Sequence, residues 1–115
     1  MRPPAPEETD AVHRQWGDIG VLRQRLDHEQ PEPVREVRMA RVLAVGAAHG
    51  AAAEALNGAL GLNPRPDTTH SWDDVRDAVA DVAVAALVAL ATIAGEPEHV
   101  LAARLDELAA RVPAN

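Results

Sequence analysis

The two segments that most constrain the fold are 42–60 and 72–95, which are rich in alanine, valine and leucine. Alanine and leucine are strong helix formers, and neither segment shows the alternation of apolar and polar residues that a half-buried strand requires. Aromatic residues form 2% of the chain, so the core must consist of small aliphatic side chains, which suits closely packed helices. The sequence therefore predicts an all-α protein.

Capping residues and helix-breaking residues divide the chain into four predicted helices. Thr9 or Asp10 caps the first of them. This helix carries apolar residues at helical spacing: Val12, Trp16, Ile19, Leu22 and Leu26. The second helix covers 34–60 and is expected to end at Gly58 and Gly61, since glycine adopts the left-handed conformation of a helix end without strain.

The remaining two helices follow the same rules. Ser71 caps the third helix and Asp74 completes a capping box, and the helix runs to Ala94, where Gly95 stops it. Apolar residues surround this helix, so we expect it to be the most buried element. Pro97 begins the fourth helix, which carries a narrow apolar stripe: Leu101, Leu105, Leu108 and Val112. Short connections between four helices favour a four-helix bundle.

The 115 residues are expected to form a single domain over 9–115, preceded by a flexible proline-rich tail over 1–8. The net charge of −7 argues against nucleic acid as a partner, and the absence of cysteine excludes disulfides and thiolate chemistry. No apolar run is long enough for a membrane span and the start has no hydrophobic targeting segment, so we expect a cytoplasmic protein. The bias towards alanine, arginine, valine and proline indicates a bacterial source.

The connection between the second and third helices carries two short motifs, Asn63-Pro64-Arg65 and Thr69-His70-Ser71-Trp72-Asp73-Asp74. Together with the flanking helices, these motifs resemble the MazG-like branch of the all-α nucleoside triphosphate pyrophosphohydrolases, over about 36–112. The resemblance implies a four-helix bundle that assembles as a homodimer or higher homo-oligomer. In that family, carboxylates on two facing helices hold magnesium against the phosphates of the substrate. The reaction yields a nucleoside monophosphate and pyrophosphate.

This chain lacks most of the acids that the resemblance leads one to expect. Alanine replaces a carboxylate at four matching positions: Ala47, Ala48, Ala51 and Ala78. The acids that remain are Glu54, Asp77 and Asp81. Because magnesium depends on several oxygen ligands in near-octahedral geometry, we expect no metal cofactor and no hydrolysis by the family mechanism. A cleft lined by alanine suits an apolar small-molecule ligand instead.

The candidate site residues form two groups. Candidate acid/base residues are His49, Glu54, Asp77 and Asp81. Candidate ligand-binding residues come from the two motifs: Asn63, Arg65, His70 and Trp72. Structural alternatives stay open for several of them. His49 can be a satisfied structural side chain, and Arg65 can pair with a neighbouring acid. His70 can hydrogen-bond its loop, and Trp72 can fill the core.

Three functional hypotheses follow. The first is a repurposed protein that binds a small molecule, or performs acid/base chemistry, without a metal, in a bacterial biosynthetic pathway. The second is a structural or regulatory pseudoenzyme that acts through oligomer contacts, with another helix approaching the glycines Gly46 and Gly50. The third is a nucleoside triphosphate pyrophosphohydrolase inactivated by replacement of glutamate with alanine.

Overall fold

The computed structural model describes residues 3, 5–29, 33–62 and 70–113, which form four α-helices and no strand. The helices are α1 (Pro6–Glu29), α2 (Val34–Ala59), α3 (Trp72–Ile93) and α4 (Pro97–Ala110). Within the described residues α3 is the central helix, because α2 packs along it extensively and α1 and α4 also contact it. The prediction of an all-α protein with four helices is confirmed.

The start of α1 differs from the prediction. The helix begins at Pro6, and Ala5 takes the cap position in place of Thr9 or Asp10. The Ala5 carbonyl accepts a hydrogen bond from the Thr9 N–H at 3.1 Å, and the Ala5 N–H donates to the Glu8 carboxylate at 3.1 Å. Proline is well suited to the first helical position, since its fixed φ is helical and its missing N–H is not needed there. Residues 1, 2 and 4 of the predicted tail lie outside the described part of the chain.

The end of α2 depends on Gly61. Its φ of 72° is in the left-handed region. This turn lets the Leu62 N–H donate to the Asn57 carbonyl at 2.7 Å and the Gly61 N–H donate to the Gly58 carbonyl at 3.1 Å. Both bonds satisfy carbonyls that the helix end would otherwise leave unpaired. The predicted role as a left-handed helix end is confirmed for Gly61 and wrong for Gly58, which lies inside the helix and is buried.

The predicted capping box at the start of α3 is confirmed. The Asp74 N–H donates to the Ser71 hydroxyl at 3.2 Å, and the Ser71 N–H donates to the Asp74 carboxylate at 2.8 Å. The bond from the Ser71 backbone, helped by the one from its hydroxyl, holds the pKa of the Asp74 carboxyl below its ordinary value. Such bonds lower a pKa because they stabilise the ionised form.

The core is thin. The buried apolar residues come from three helices: Ile19, Ala55, Val88 and Ala89. The accessible surface of the chain is 8808 Å², whereas a compact monomer of this mass exposes about 6,100 Å². The chain therefore leaves more surface uncovered than a compact monomer does, and large apolar residues of all four helices are exposed on it.

The last helix contributes strongly to this uncovered surface. α4 departs from α3 at a bend of 118° and buries none of its own residues. Its predicted apolar stripe consequently remains exposed. No single helix in the described ranges is long and apolar enough to cross a bilayer, and α3 and α4 meet those criteria only jointly, across the bend.

We predict that Ser71→Ala lowers the free energy of unfolding by about 1 kcal/mol, because the first turn of α3 loses its side-chain acceptor.

Asp74→Ala removes the other half of the capping box. Folding lowers the pKa of the Asp74 carboxyl, so the ionised carboxylate contributes fully to the free energy of unfolding above its ordinary pKa of 3.8. This contribution is lost as the pH falls through the pKa of the folded state. Thermal unfolding from about pH 7 to about pH 2 should show the stability gap between wild type and Asp74→Ala closing in acid. A gap that stays constant would contradict this account.

Candidate functional site

A cavity of about 350 Å³ lies between α1, α2 and α3, and we call it the three-helix cavity. Most of its wall is aliphatic: Leu22, Leu26, Ala44, Val84, Ala85 and Val88. Four charged residues complete the lining: Arg25, Glu29, Arg41 and Asp81. An apolar wall with a few polar groups is the usual composition of a small-molecule site.

The cavity follows from the spacing of its lining residues along each helix. α1 and α3 each contribute residues at positions i, i+3, i+4 and i+7, and α2 contributes residues at i and i+3, which places them on one face of each helix. Alanine stands at two of these positions, Ala44 on α2 and Ala85 on α3. Because a methyl group fills little volume, the space between the helices remains open.

Arg41 is the deeply buried charge in this wall, with 4% of its surface exposed. Its Nη2 donates to one carboxylate oxygen of Asp27 at 2.8 Å, and the other oxygen of Asp27 accepts from Arg23 at 2.9 Å. Two guanidinium groups thus share one carboxylate. The Nε of Arg41 is buried and has no hydrogen-bond acceptor within the described structure. A buried donor without a partner costs about 1–3 kcal/mol, so this arginine is held in place at some cost to stability.

The other charged residues of the cavity lie nearer to solvent. Arg25 and Glu29 are exposed and face each other at 3.4 Å on α1, so their charges largely offset one another. Asp81 is exposed on α3, and no ion pair or hydrogen bond to it occurs in the described ranges. Asp81 is thus an exposed member of the lining, whereas Arg41 is a buried one.

Of the four predicted acid/base residues, the structure brings only Asp81 to the three-helix cavity. His49 and Glu54 are exposed on α2, and no hydrogen bond joins them. Asp77 is also exposed and pairs with Arg76 at 3.1 Å. Across the described residues, no three acidic or histidine side chains lie close enough together to hold a metal ion.

The alanines at the four matching positions divide into two pairs. Ala47 and Ala51 are exposed on α2, whereas Ala48 and Ala78 are half-buried. The two half-buried residues lie on the helices that form the most extensive contact of the fold.

The predicted ligand-binding residues lie at or beyond the start of α3. Asn63 and Arg65 belong to 63–69, which is outside the described residues. Trp72 is 62% exposed, so the alternative that it fills the core of this chain is wrong. The Nδ1 of His70 is buried and has no partner among the described residues.

His70 packs directly against Gly58 of α2. A Cβ at position 58 would overlap the imidazole ring, approaching its Cγ at 2.9 Å and the His70 Cβ at 3.0 Å. Gly58 is therefore required by a close approach of the segment that precedes α3. The helical φ of Gly58 would accommodate any residue, so the constraint is purely steric.

Comparisons of the chain with protein-family models, with curated proteins and with solved structures found no match. The four helices are compatible with a MazG-like fold.

Sequence reasoning missed the cluster of Arg23, Asp27 and Arg41. A signal was present, because Arg41 is in helical phase with Val37, Ala48 and other inward residues of α2. A charge on the inward face of a helix marks either a paired group or a binding position.

We predict that Gly58→Ala lowers the free energy of unfolding by about 1–3 kcal/mol, because the added methyl group overlaps the His70 ring. Gly50→Ala is a matched control on the same helix, since nothing lies within 4 Å of the position its Cβ would take. The control should stabilise α2 by about 0.5–1 kcal/mol through its higher helix propensity. Chemical denaturation of the single and double variants with His70→Ala checks the cause. A Gly58→Ala penalty that persists in the His70→Ala background would show that the histidine is not responsible.

Proposed function

We propose that the chain is a cytoplasmic bacterial protein of MazG-like ancestry that binds a small, mainly apolar molecule without a divalent metal ion. The observation that carries this proposal is the three-helix cavity, whose volume of about 350 Å³ and aliphatic wall suit such a molecule. Its few charged groups provide orientation and specificity.

The distribution of acids supports the metal-independent part of the proposal. Magnesium requires several oxygen ligands converging on one point. Glu54 and Asp77, two of the three retained acids, are exposed and do not line the cavity. Asp81 is the retained acid that lines it, and the other carboxylate of the lining, Glu29, is paired with Arg25 at 3.4 Å, which is a poor ligand set for a hard cation.

Acid/base chemistry on the bound molecule is an extension of this proposal. Asp81 is the predicted acid/base residue that lines the cavity, so it is the group placed to exchange a proton with a bound molecule. His49 and Glu54 are exposed on α2 and do not contribute to the lining. The hypothesis of a role in a bacterial biosynthetic pathway depends on this acid/base chemistry.

We predict that the neutral fluorophore N-phenyl-1-naphthylamine binds the purified protein with increased emission, and that EDTA leaves the binding unchanged. Ala44→Leu should weaken binding, because the larger side chain takes up part of the cavity. Ala53→Leu is the matched control, as Ala53 is exposed on α2 and does not line the cavity. Nucleoside triphosphates with magnesium should release no pyrophosphate. Loss of binding in both variants, or pyrophosphate release, would overturn the proposal.

We also propose that the chain works as a homodimer or higher homo-oligomer. The chain exposes about 2,700 Å² more than a compact monomer of its mass. An obligate dimer buries roughly 1,000–2,500 Å² per chain, so the uncovered area is sufficient for one. A continuous apolar surface is available for this contact, and we call it the α2–α3 patch: Arg38, Met39, Val42, Leu43 and Ile93.

We predict that light scattering coupled to size-exclusion chromatography gives a mass above that of one chain for wild type. Leu43→Glu should raise the dissociation constant at least about tenfold, because it places a charge within the apolar contact. Leu43 is 70% exposed in the single chain and Val21 of α1 is 63% exposed, so Val21→Glu is the matched control and should remain associated. A monomeric wild type at micromolar concentration, or equal dissociation of both variants, would reject this assembly.

A further inference from the structure

We infer that α4 of one chain covers the α2–α3 patch of a second copy, and that α4 of the second copy covers the patch of the first. This inference rests on the proposed homo-oligomer and deepens it, because it names the surface that occupies the patch. The part of α4 that makes the contact is its row of leucines, which we call the α4 stripe: Leu101, Leu105 and Leu108.

The α4 stripe is an apolar helix face without a partner in the single chain. Its leucines are spaced by four and three residues, which places them on one side of the helix, and they are 39–62% exposed. α4 has 14 residues and buries none of them. Because a helix of this length obtains most of its stability from the packing of its apolar face, the stripe requires a covering surface.

The α2–α3 patch has the shape and the size to receive this stripe. It forms an open groove of about 410 Å³ between α2 and the end of α3, and no residue of α4 lines it. A leucine side chain has four carbons and occupies roughly 120 Å³, at about 30 Å³ for each water-sized group. The groove therefore holds about three leucine side chains, and one α4 stripe supplies three.

The exposed face of α2 in a second copy is a poorer occupant of the groove. Beyond Met39 and Leu43, the residues in helical phase on this face are Gly46 and Gly50, where nothing lies within 4 Å of the position that a Cβ would take. Glycine supplies no side chain to insert into a groove. Pairing of α2 with α2 would also leave the α4 stripe in water, whereas α4 on the patch covers both surfaces in one contact.

The charges beside the two surfaces are complementary. The start of α2 presents two exposed arginines, Arg35 and Arg38, against one acid, Glu36. α4 has three acids and one arginine, and two of its acids, Glu98 and Asp106, make no ion pair or hydrogen bond in the described ranges. An acidic helix beside unpaired arginines gives complementary potentials, which fix the orientation of the contact.

The uncovered area and the positions of the two surfaces suit a closed dimer. The chain exposes about 2,700 Å² more than a compact monomer of its mass, and an interface of standard size buries about 800 Å² per partner. Ile93 lines the groove and α4 begins at Pro97, so groove and stripe meet at the bend. A two-fold axis near this bend forms the contact twice and leaves neither surface open to further copies.

The first test is chemical cross-linking, which is possible because the chain contains no cysteine. Leu43→Cys and Leu105→Cys are mixed in equal amounts and treated with a short bismaleimide, and the linked peptides are identified by mass spectrometry. We expect links between positions 43 and 105 to predominate over 43–43 and 105–105 links. Ala103→Cys is the matched control for Leu105→Cys, since Ala103 is exposed on the opposite side of α4, and it should not link to position 43.

The second test is the dissociation constant of the dimer, measured by sedimentation. Leu105→Glu should raise it at least about tenfold, because the contact would bury a charge. Ala103→Glu introduces the same side chain on the opposite side of α4 and should leave the constant unchanged. Because α4 buries none of its residues within one chain, both variants keep the fold of the single chain.

The outcomes separate this inference from the proposed assembly. Links between two copies of position 43, without 43–105 links, would overturn the role of α4 and leave the homo-oligomer in place. A double variant of Leu43→Cys and Leu105→Cys that links internally at the mass of one chain would show that α4 folds back on its own patch, which also overturns the inference. Equal dissociation of Leu105→Glu and Ala103→Glu would do the same. A wild type with the mass of one chain and no links would reject the proposed assembly itself.

Discussion

The buried ion pair between Arg41 of α2 and Asp27 of α1 is the polar contact that sets how α1 meets α2, on the frame that the packing of α2 against α3 provides. The ion pairs on α3 and α4 join residues close in sequence, whereas this pair joins two helices through a buried guanidinium. Removing a charge from water is costly, and the attraction within the pair repays that cost only when the geometry is good. The pair therefore fixes where α1 lies relative to α2 more than it adds net stability. The three-helix cavity, which lies between these helices and α3 and is open to solvent on one side, exists in that geometry.

The abundance of alanine explains both the thin core and the open cavity. Alanine stabilises helices at almost no conformational cost, so four helices form readily. The same side chain buries little area, and burial contributes only about 25 cal/mol per Å². Facing helices that present Ala44 and Ala85 cannot fill the space between them. A chain of this composition is thus rich in helix and poor in enclosed apolar surface, and both the cavity and the uncovered patches arise from one cause.

The helices could be predicted from the sequence because their signals are local. Ser71 with its capping box and Gly61 with its left-handed turn act within a few residues, and the structure reproduces both. The site could not be predicted in the same way, because its geometry depends on which helix faces meet. Arg41 lies in phase with the inward residues of α2, but only the packing of α1 against α2 brings it to Asp27. Asp81, chosen from the family resemblance, lines the cavity, while His49 is exposed elsewhere on α2.

The bend between α3 and α4 has a consequence for the dynamics of the molecule. α4 has 14 residues, and isolated helices shorter than about 12–15 residues are only marginally stable in water. Because it buries none of its residues, its backbone amides should exchange with deuterium faster than those of α3, which is covered on several sides. The order of this terminal helix then depends on whichever surface comes to shield its leucines. Amide protection in α4 would therefore serve as a readout of association, separate from the folding of the other three helices.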